Sequence, residues 1–329
     1  MSIPRQARLL DVAEAVGVHV STVSRVLNDS PVTISADTRR RVLLAAEELN
    51  YRPNALARGL KLAETGALGM LVPSLRNPVF ADVIRGAFQR ATQRSFVVLL
   101  AEDTGEADAQ RAYSSLVQEG RIDGLLVASA RIGGSILDLL GSGRFPSVFL
   151  NRREAGSDRN VSMREEDAGR LAAEHLIAQG HTRLAQLAGP EDFDTAQRRL
   201  AGFLEVASAH GLEPEVVRAP FEEAAAREAM HGLLGRSPRP TGIFVSNLNQ
   251  AIGAVAALHD LHVRVPEELA LVACDDDPII DFLEVPVTTI RMPLAELGAA
   301  GVDALLTQIE GDDPHDVVVP TPPELVVRG

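Results

Sequence analysis

Two short amphipathic patterns flank Gly17 near the start of the chain. Leu9, Val12, Ala13 and Val16 recur at helical spacing before it, and Val20, Val23, Val26 and Leu27 recur after it. A glycine between two short helices marks a helix-turn-helix, because the turn favours a residue without a side chain. A third helix is predicted from Ser35, which can cap it, with Asp37 in its first turn and Val42, Ala46 and Leu49 along one face. Tyr51-Arg52-Pro53-Asn54 halts that pattern, and Asn54 can cap a further short helix from Ala55 to Lys61. Such a segment frays when alone, since the cost of nucleation outweighs so few backbone bonds.

After the polar link at residues 62–66 the period changes. Short aliphatic runs such as ALGMLVP (67–73), FVVLLAE (96–102), GLLVAS (124–129) and SVFLN (147–151) alternate with helical patterns. A second series starts near Arg164 and places RLAQLAG (183–189), GIFVSN (242–247) and ALVACDD (270–276) between helices, then a long helix and two short strands. Strictly alternating strands and helices predict parallel sheets covered on both faces, and two successive series predict two Rossmann-like lobes. The fold class expected is a small all-α helix-turn-helix DNA-binding domain followed by a two-lobed α/β domain.

Length and composition narrow the function. A chain of 329 residues, 46% hydrophobic and 23% charged, has room for two or more ordinary globular domains. No apolar run reaches a membrane span and MSIPRQARLL lacks a signal-peptide core, so no membrane partner and a cytoplasmic location are expected. The single Cys274 excludes an internal disulfide and a cysteine-rich zinc site. The net charge of −13 divides unevenly: residues 1–61 carry +3 and residues 62–329 carry −16. That asymmetry fits a small phosphate-seeking head on an acidic body kept off DNA. A +3 head is modest, so useful affinity requires two heads on one site. Asp275-Asp276-Asp277 raises the question of a metal or acid/base site, but adjacent side chains diverge and no His or Cys motif accompanies them. With no Walker loop, GxSxG or HExxH, no enzyme activity, cofactor or metal is expected.

DVAEAVGV, STVSRVLN, TRRRV and ELNYRPNALARGLK, in that order, resemble the lac repressor (LacI/GalR) family of bacterial transcription regulators. The resemblance extends over nearly the whole chain. It implies a helix-turn-helix headpiece over residues 1–50, a hinge helix and linker over 51–65, and a two-lobed effector-binding and dimerisation domain over 66–329. It also implies that this last domain is periplasmic-binding-protein-like, with three crossings between lobes, placed near Asp158–Asn160, Arg291–Pro293 and Pro320–Glu324. The N-lobe would then hold about 66–159 and 292–322, and the C-lobe about 160–291 and 323–329.

Within the headpiece, Val20–Asn28 is the candidate recognition helix. Arg25 can offer two donors to guanine O6 and N7, while Thr22, Ser24 and Asn28 suit phosphates, which position without specifying. By resemblance, Val20 and Ser21 select the operator. Valine can pack on a thymine methyl or complete the apolar stripe, and the sequence leaves both open. The resemblance also implies that the hinges of two subunits enter the minor groove, with Leu60 wedged into a base step, Ala57 beside the bases and Arg58 or Lys61 near phosphates. Departures stand at Arg8, where the family usually has a capping threonine, at His19, where it usually has a serine, and in the loop from Asn28 to Ser35, which is one residue longer than common.

In the body, Asn151, Asn247 and Asp275 end strands, where doubly wound sheets bind ligands. Arg199 matches the family's ligand-contacting arginine, and the loop SLRNPVF brings Asn77 and Phe80 to a place that lines the family's pocket. A guanidinium and a carboxylate can clamp neighbouring hydroxyls of a sugar, or Arg199 and Asp275 can form a structural ion pair. Phe193 and Phe221 can face a ring or belong to the core. Leu248 stands where many relatives have an aspartate, which weakens any transfer of ligand identity. The expected function is a homodimeric repressor that leaves a palindromic double-stranded operator on binding a sugar or sugar derivative. Corepression by a purine or nucleoside, and control by a protein partner, are the alternatives. No leucine heptad follows Arg328, against a tail-mediated tetramer.

Overall fold

The computed structural model of the protein describes residues 7–27, 34–49, 51, 65–103, 114–128 and 145–328. The chain divides into two compact units, Met1–Thr65 and Gly66–Gly329. Of the residues proposed to contact DNA or to shape the hinge that does, Asn28, Asn54, Ala57, Arg58, Leu60 and Lys61 lie outside the described residues.

The first unit packs α1 (Leu9–Val16), α2 (Val20–Leu27) and α3 (Ala36–Glu48). Val12, Val23 and Val42, one from each helix, have no exposed surface at the centre of its core. Gly17 ends α1 at φ 71°, a left-handed conformation that a side chain would oppose, and its N–H reaches back to the Ala13 carbonyl. At the start of α1, the Arg8 side chain makes no cap; instead Asp11 accepts the Arg8 N–H at 2.6 Å, so the helix entry survives the loss of a threonine. Ser35 caps α3 by accepting from Thr38 N at 3.2 Å. Leu49 departs from its expected place: it is 39% exposed, and Ala45 faces the core with Val42 and Ala46.

Among its described residues, the second unit contains two six-stranded sheets. In chain order its elements are β1 (Ala67–Val72), α4 (Val79–Gln93), β2 (Val97–Glu102), β3 (Gly124–Val127), β4 (Ser147–Leu150), β5 (Asn160–Ser162) and α5 (Glu165–Ala178). There follow β6 (Leu184–Ala188), α6 (Asp194–Ala209), β7 (Glu215–Arg218), α7 (Glu223–Leu234), β8 (Gly242–Val245), α8 (Leu248–Asp260) and β9 (Ala270–Cys274). A 3-10 turn (Pro278–Phe282), β10 (Thr288–Arg291), α9 (Leu294–Ile309), β11 (Val317–Val318) and β12 (Glu324–Val326) complete it. The sheets run β11-β5-β4-β3-β1-β2 and β12-β10-β9-β8-β6-β7. All pairings are parallel except β10 with β12. β1, β3, β4 and β6 are buried at every position, as strands covered on both faces must be.

One boundary needs correction. Residues 160–162 are not the start of the second lobe: Asn160–Ser162 adds a strand to the first sheet, beside β4. The Asn160 N–H and amide both donate to Asp316 at 2.9 Å, which ties this short strand to the segment leading into β11. The chain therefore first leaves the first sheet at Met163–Arg164. It returns between β10 and α9, and crosses again between β11 and β12.

Each crossing into a helix ends in unusually close helix packing. α5 lies against α6 so tightly that a methyl on Gly169 would overlap the Arg199 carbonyl, and one on Gly202 would overlap the Glu166 carbonyl. Gly86 and Gly298 let α4 and α9 approach in the same way in the other lobe. No helix among the described residues is long and apolar enough to cross a membrane.

This packing is testable. Gly202→Val should lower the unfolding free energy by about 3 kcal/mol, since the clash is with backbone that cannot swing aside. Gly232→Ala, in α7 with nothing within 4 Å of the added carbon, should raise it by about 0.5–1 kcal/mol. Urea denaturation of the two variants beside the parent measures both.

Candidate ligand cleft and DNA-reading helix

The carboxyl ends of the two sheets face a cavity of about 730 Å³. All eight residues proposed from the sequence for ligand contact line it. The first lobe supplies Asn77 and Phe80 after β1 and Asn151 after β4. The second supplies Phe193 and Arg199 after β6, Phe221 after β7, Asn247 after β8 and Asp275 after β9.

Asn151 and Asp275 hold equivalent places. Each follows the last residue of its strand, donates its N–H to the neighbouring strand at 3.0 Å and turns into positive φ, 61° and 74°. Asparagine and aspartate tolerate that region better than other side chains. The turn sets both side chains at the cleft, where Asn151 Oδ1 is buried with no hydrogen-bond partner. Such an orphaned acceptor is costly unless a ligand or water satisfies it.

Arg199 projects from the second turn of α6 and is 4% exposed. Its Nε donates to Glu165 Oε2 at 2.6 Å and its Nη1 to the Ser246 carbonyl at 2.6 Å. Nη2 stands 3.9 Å from Asp275 Oδ1, too far for a hydrogen bond. The structural partner of Arg199 is thus Glu165 rather than Asp275. Burial works against the Arg199 charge, but the surrounding Cys274, Glu165 and Asp275 hold its pKa above the ordinary value. Burial pushes the Asp275 carboxyl up, opposed by Arg199 and by the Leu248 N–H at the start of α8. Leu248 itself is buried, so this position contributes its backbone and not a second carboxylate.

The other candidates divide their duties. Asn247 Oδ1 caps α8 by accepting from Gln250 N at 2.9 Å, which leaves its amide nitrogen to donate. Asn77 Oδ1 similarly accepts from Val79 N at 3.2 Å. Phe80 is 5% exposed and belongs chiefly to the first-lobe core. Phe193 and Phe221 meet edge to face at 5.3 Å on the second-lobe wall.

The three aspartates after β9 diverge as expected of adjacent residues. Asp275 faces the cleft. Asp276 accepts from Thr289, Arg291 and Arg328 at 2.6–3.0 Å, binding β10 to the chain end, and Asp277 caps the 3-10 turn. Burial alone would raise the Asp276 pKa, but the bonds from Thr289, Arg291 and Arg328 hold it below the ordinary value.

Sequence reasoning missed Glu165, Arg76, Asp192, Thr195, Asn249, Glu222 and Glu223, all of which support or line the cleft. For Glu165 a signal existed. Glu165-Glu166 and Arg198-Arg199 are doublets on successive helices, and they pair crosswise: Arg199 with Glu165, Arg198 with Glu166 at 2.7–2.8 Å.

In the first unit, Ser21 and Arg25 lie four residues apart on the exposed side of α2. Thr22 and Ser24 are half-buried, and Val20 packs partly against the core. His19 stands just before α2, and its Nδ1 accepts from Ser21 N at 3.3 Å and lies 2.8 Å from Ser21 Oγ. An imidazole that accepts at Nδ1 carries its proton on Nε2 when neutral. His19 therefore does the capping work of a serine.

Comparison with known proteins agrees with this arrangement. Residues 8–54 match the bacterial regulatory proteins of the lacI family, and residues 173–329 match a periplasmic binding protein-like domain. The chain is 32% identical over 327 residues to the HTH-type transcriptional repressor PurR of Photobacterium profundum, covering 98% of both chains. The lac repressor dimer bound to operator and the anti-inducer ONPF is 28% identical with a TM-score of 0.87 over 98% of both chains. The complex of the transcriptional regulator CelR with cellobiose is 28% identical with a TM-score of 0.75, covering 98% of this chain and 99% of that one.

Two substitutions should move stability in opposite directions. Glu165→Ala leaves the buried Arg199 without its carboxylate and should cost about 3–5 kcal/mol in urea denaturation. Asp275→Asn removes a carboxyl whose folded-state pKa lies above its unfolded one. That carboxyl favours folding where it is protonated, and the contribution is lost as pH rises through the folded pKa. The melting temperature of unliganded Asp275→Asn, relative to the parent, should therefore increase from pH 4 to pH 7, by about 2–4 °C for each kcal/mol released. Thermal scans across that range check the sign.

Proposed function

Because the chain belongs to the lacI family of bacterial regulatory proteins, we propose that a sugar or sugar derivative held between its lobes releases this repressor from its operator. The protein is a ligand-responsive, DNA-binding transcriptional repressor with a helix-turn-helix head and a periplasmic-binding-protein-like body. The observation that carries the ligand reading is the gap of 3.9 Å between Arg199 Nη2 and Asp275 Oδ1, facing the unpartnered Asn151 Oδ1 of the other lobe. A vicinal diol with a further hydroxyl fits this set: one hydroxyl of the diol donates to Asp275, its neighbour accepts from Arg199, and the third donates to Asn151. CelR, a similar protein, holds cellobiose, which supports a carbohydrate here.

On DNA, Arg25 reads a guanine, and Ser21, Thr22 and Ser24 set the register on phosphates. Val20 serves the head's core more than the base edges. Residues 51–65 act as the hinge, with Leu60 as its minor-groove wedge, and two chains bind one palindromic site. Ligand closure of the cleft biases the hinge, and linkage requires the operator complex to bind the ligand correspondingly more weakly. Phe193 and Phe221 favour a second reading, a nucleobase corepressor lying on their rings. It requires ligand to strengthen DNA binding instead of weakening it.

Fluorescence anisotropy on a duplex selected from a randomised library tests both halves. Arg25→Ala should weaken specific binding by about 10–100-fold while leaving binding to an unrelated duplex nearly unchanged. His19→Ala should weaken the head by about 0.5–1 kcal/mol through its lost cap. Asp275→Asn, which leaves the Arg199–Glu165 bond in place, should keep operator binding and lose the response to ligand. Absence of any site-preferring duplex would sink the repressor reading of the head, and a ligand that tightens binding would favour the corepressor reading.

A further inference from the structure

The charges around the cleft are unequal, and they restrict the ligand beyond its hydroxyls. Resting on the proposal that this cleft is the effector site, we infer that it selects an uncharged, hydroxyl-rich ligand and rejects phosphorylated or carboxylated relatives of the same sugar. The lining carries two cations, Arg76 and Arg199, against four carboxylates, Asp192, Glu222, Glu223 and Asp275. The deeper cation is already matched, because Arg199 is bonded to the fully buried Glu165. An anion entering would find no buried cation in want of a partner. At the rim, one exposed Arg76 faces three exposed carboxylates.

One feature of the fold pulls the other way. The helices that follow the strand ends, α4, α6, α7 and α8, aim their N-termini toward the cleft, and such termini attract anions. Here the protein supplies its own. Asp82 stands in the first turn of α4 and Asp194 in that of α6, while Glu222 and Glu223 occupy the start of α7. At α8 the Asp275 carboxylate accepts the Leu248 N–H and Asn247 caps the next free donor. These carboxylates offset the partial positive charge at the starts of α4, α6 and α7, and at α8 Asn247 also takes up a free N–H. Beside the donors left on Arg199 and Asn247, the cleft offers the acceptors Asn151 Oδ1 and the Asp275 carboxylate, which call for hydroxyl donors. A phosphate or carboxylate has none to give at neutral pH and adds repulsion in a partly dehydrated space.

The test is a thermal-shift and calorimetric comparison of the full chain with matched sets: ribose and ribose 5-phosphate, glucose with glucose 6-phosphate and gluconate, galactose and galacturonate, cellobiose, and nucleosides with their monophosphates. The expected result is a neutral member that binds, with its anionic partner at least tenfold weaker. That gap should narrow severalfold in the Glu222→Gln/Glu223→Gln double variant and at raised ionic strength. An anionic member that binds as tightly as its neutral partner would overturn the inference while leaving the effector site in place. A gap unchanged in the double variant and in salt would overturn it too, since rejection would then be steric. Silence from every set, in protein that still binds its operator, would instead remove the effector-site reading and this inference with it.

Discussion

The buried bond between Arg199 and Glu165 is the constraint on which the ligand cleft rests. Glu165 opens the helix that follows the first crossing between lobes, and Arg199 lies on the next helix of the same lobe. Taking both charges out of water is expensive, and their attraction repays it only when the geometry is held tightly. The glycine contacts do the holding. Gly169 lies beneath the Arg199 carbonyl and Gly202 beneath that of Glu166, so the two helix backbones cannot slide without losing the ionic register. With Nε and Nη1 both committed, the guanidinium is fixed in rotation and only Nη2 remains for the cleft. A side chain with many rotamers becomes a single aimed donor, so a ligand need not bear the entropy of ordering it.

The two lobes place like groups at like points. A polar residue of left-handed φ ends β4 in one and β9 in the other, each bonded to its adjacent strand before the chain turns. A ligand that satisfies Asn151 and Asp275 together must touch both sheets, so its binding energy depends on their separation. That dependence is what allosteric control requires, because a ligand shifts an equilibrium only by its differential affinity for the two states. A direct bond between the lobes, from Arg153 N to Asp194 Oδ2 at 3.1 Å, joins the loop after β4 to the first turn of α6. It lies on the same two segments that carry Asn151 and Phe193, so a rearrangement of the cleft reaches this contact directly.

Much of this was legible in the chain. Aliphatic runs of five or six residues between helical patterns revealed the buried strands, and polar residues at their ends marked Asn151, Asn247 and Asp275, while Asn77 came from the resemblance of its loop; all four line one cavity. The helix-turn-helix was readable for the same reason, a strict helical period broken by Gly17. Two things were not. Strand Asn160–Ser162 is only three residues long, held by side-chain bonds to Asp316 some 156 positions away, and no local period can announce it. Glu165 sits among three consecutive acids that look like a solvated helix start, and only the packing of α5 on α6 removes it from water. Val20 shows a third limit. Its chemistry suits either a base methyl or the apolar stripe, and the fold shows it half-buried against the core, a placement no local pattern fixes.

A protein that answers a ligand has to keep some of its polar groups unsatisfied in the ligand's absence. The cleft holds several groups of this kind. Asn151 Oδ1 has no partner, the Asp275 carboxyl is held above its ordinary pKa by burial, and Arg199 stops short of hydrogen-bonding it. At the neighbouring position the same chemistry is completed. Asp276, the very next residue, is bonded by Thr289, Arg291 and Arg328, and its pKa is held down. The contrast between two adjacent aspartates separates function from structure more sharply than either does alone. The completed one adds stability whatever the ligand. The incomplete one lowers the stability of the empty cleft and so enlarges the difference between empty and filled states, and that difference is the free energy available to act on the operator. Filling the cleft with better-paired side chains would make a more stable protein and a less responsive one.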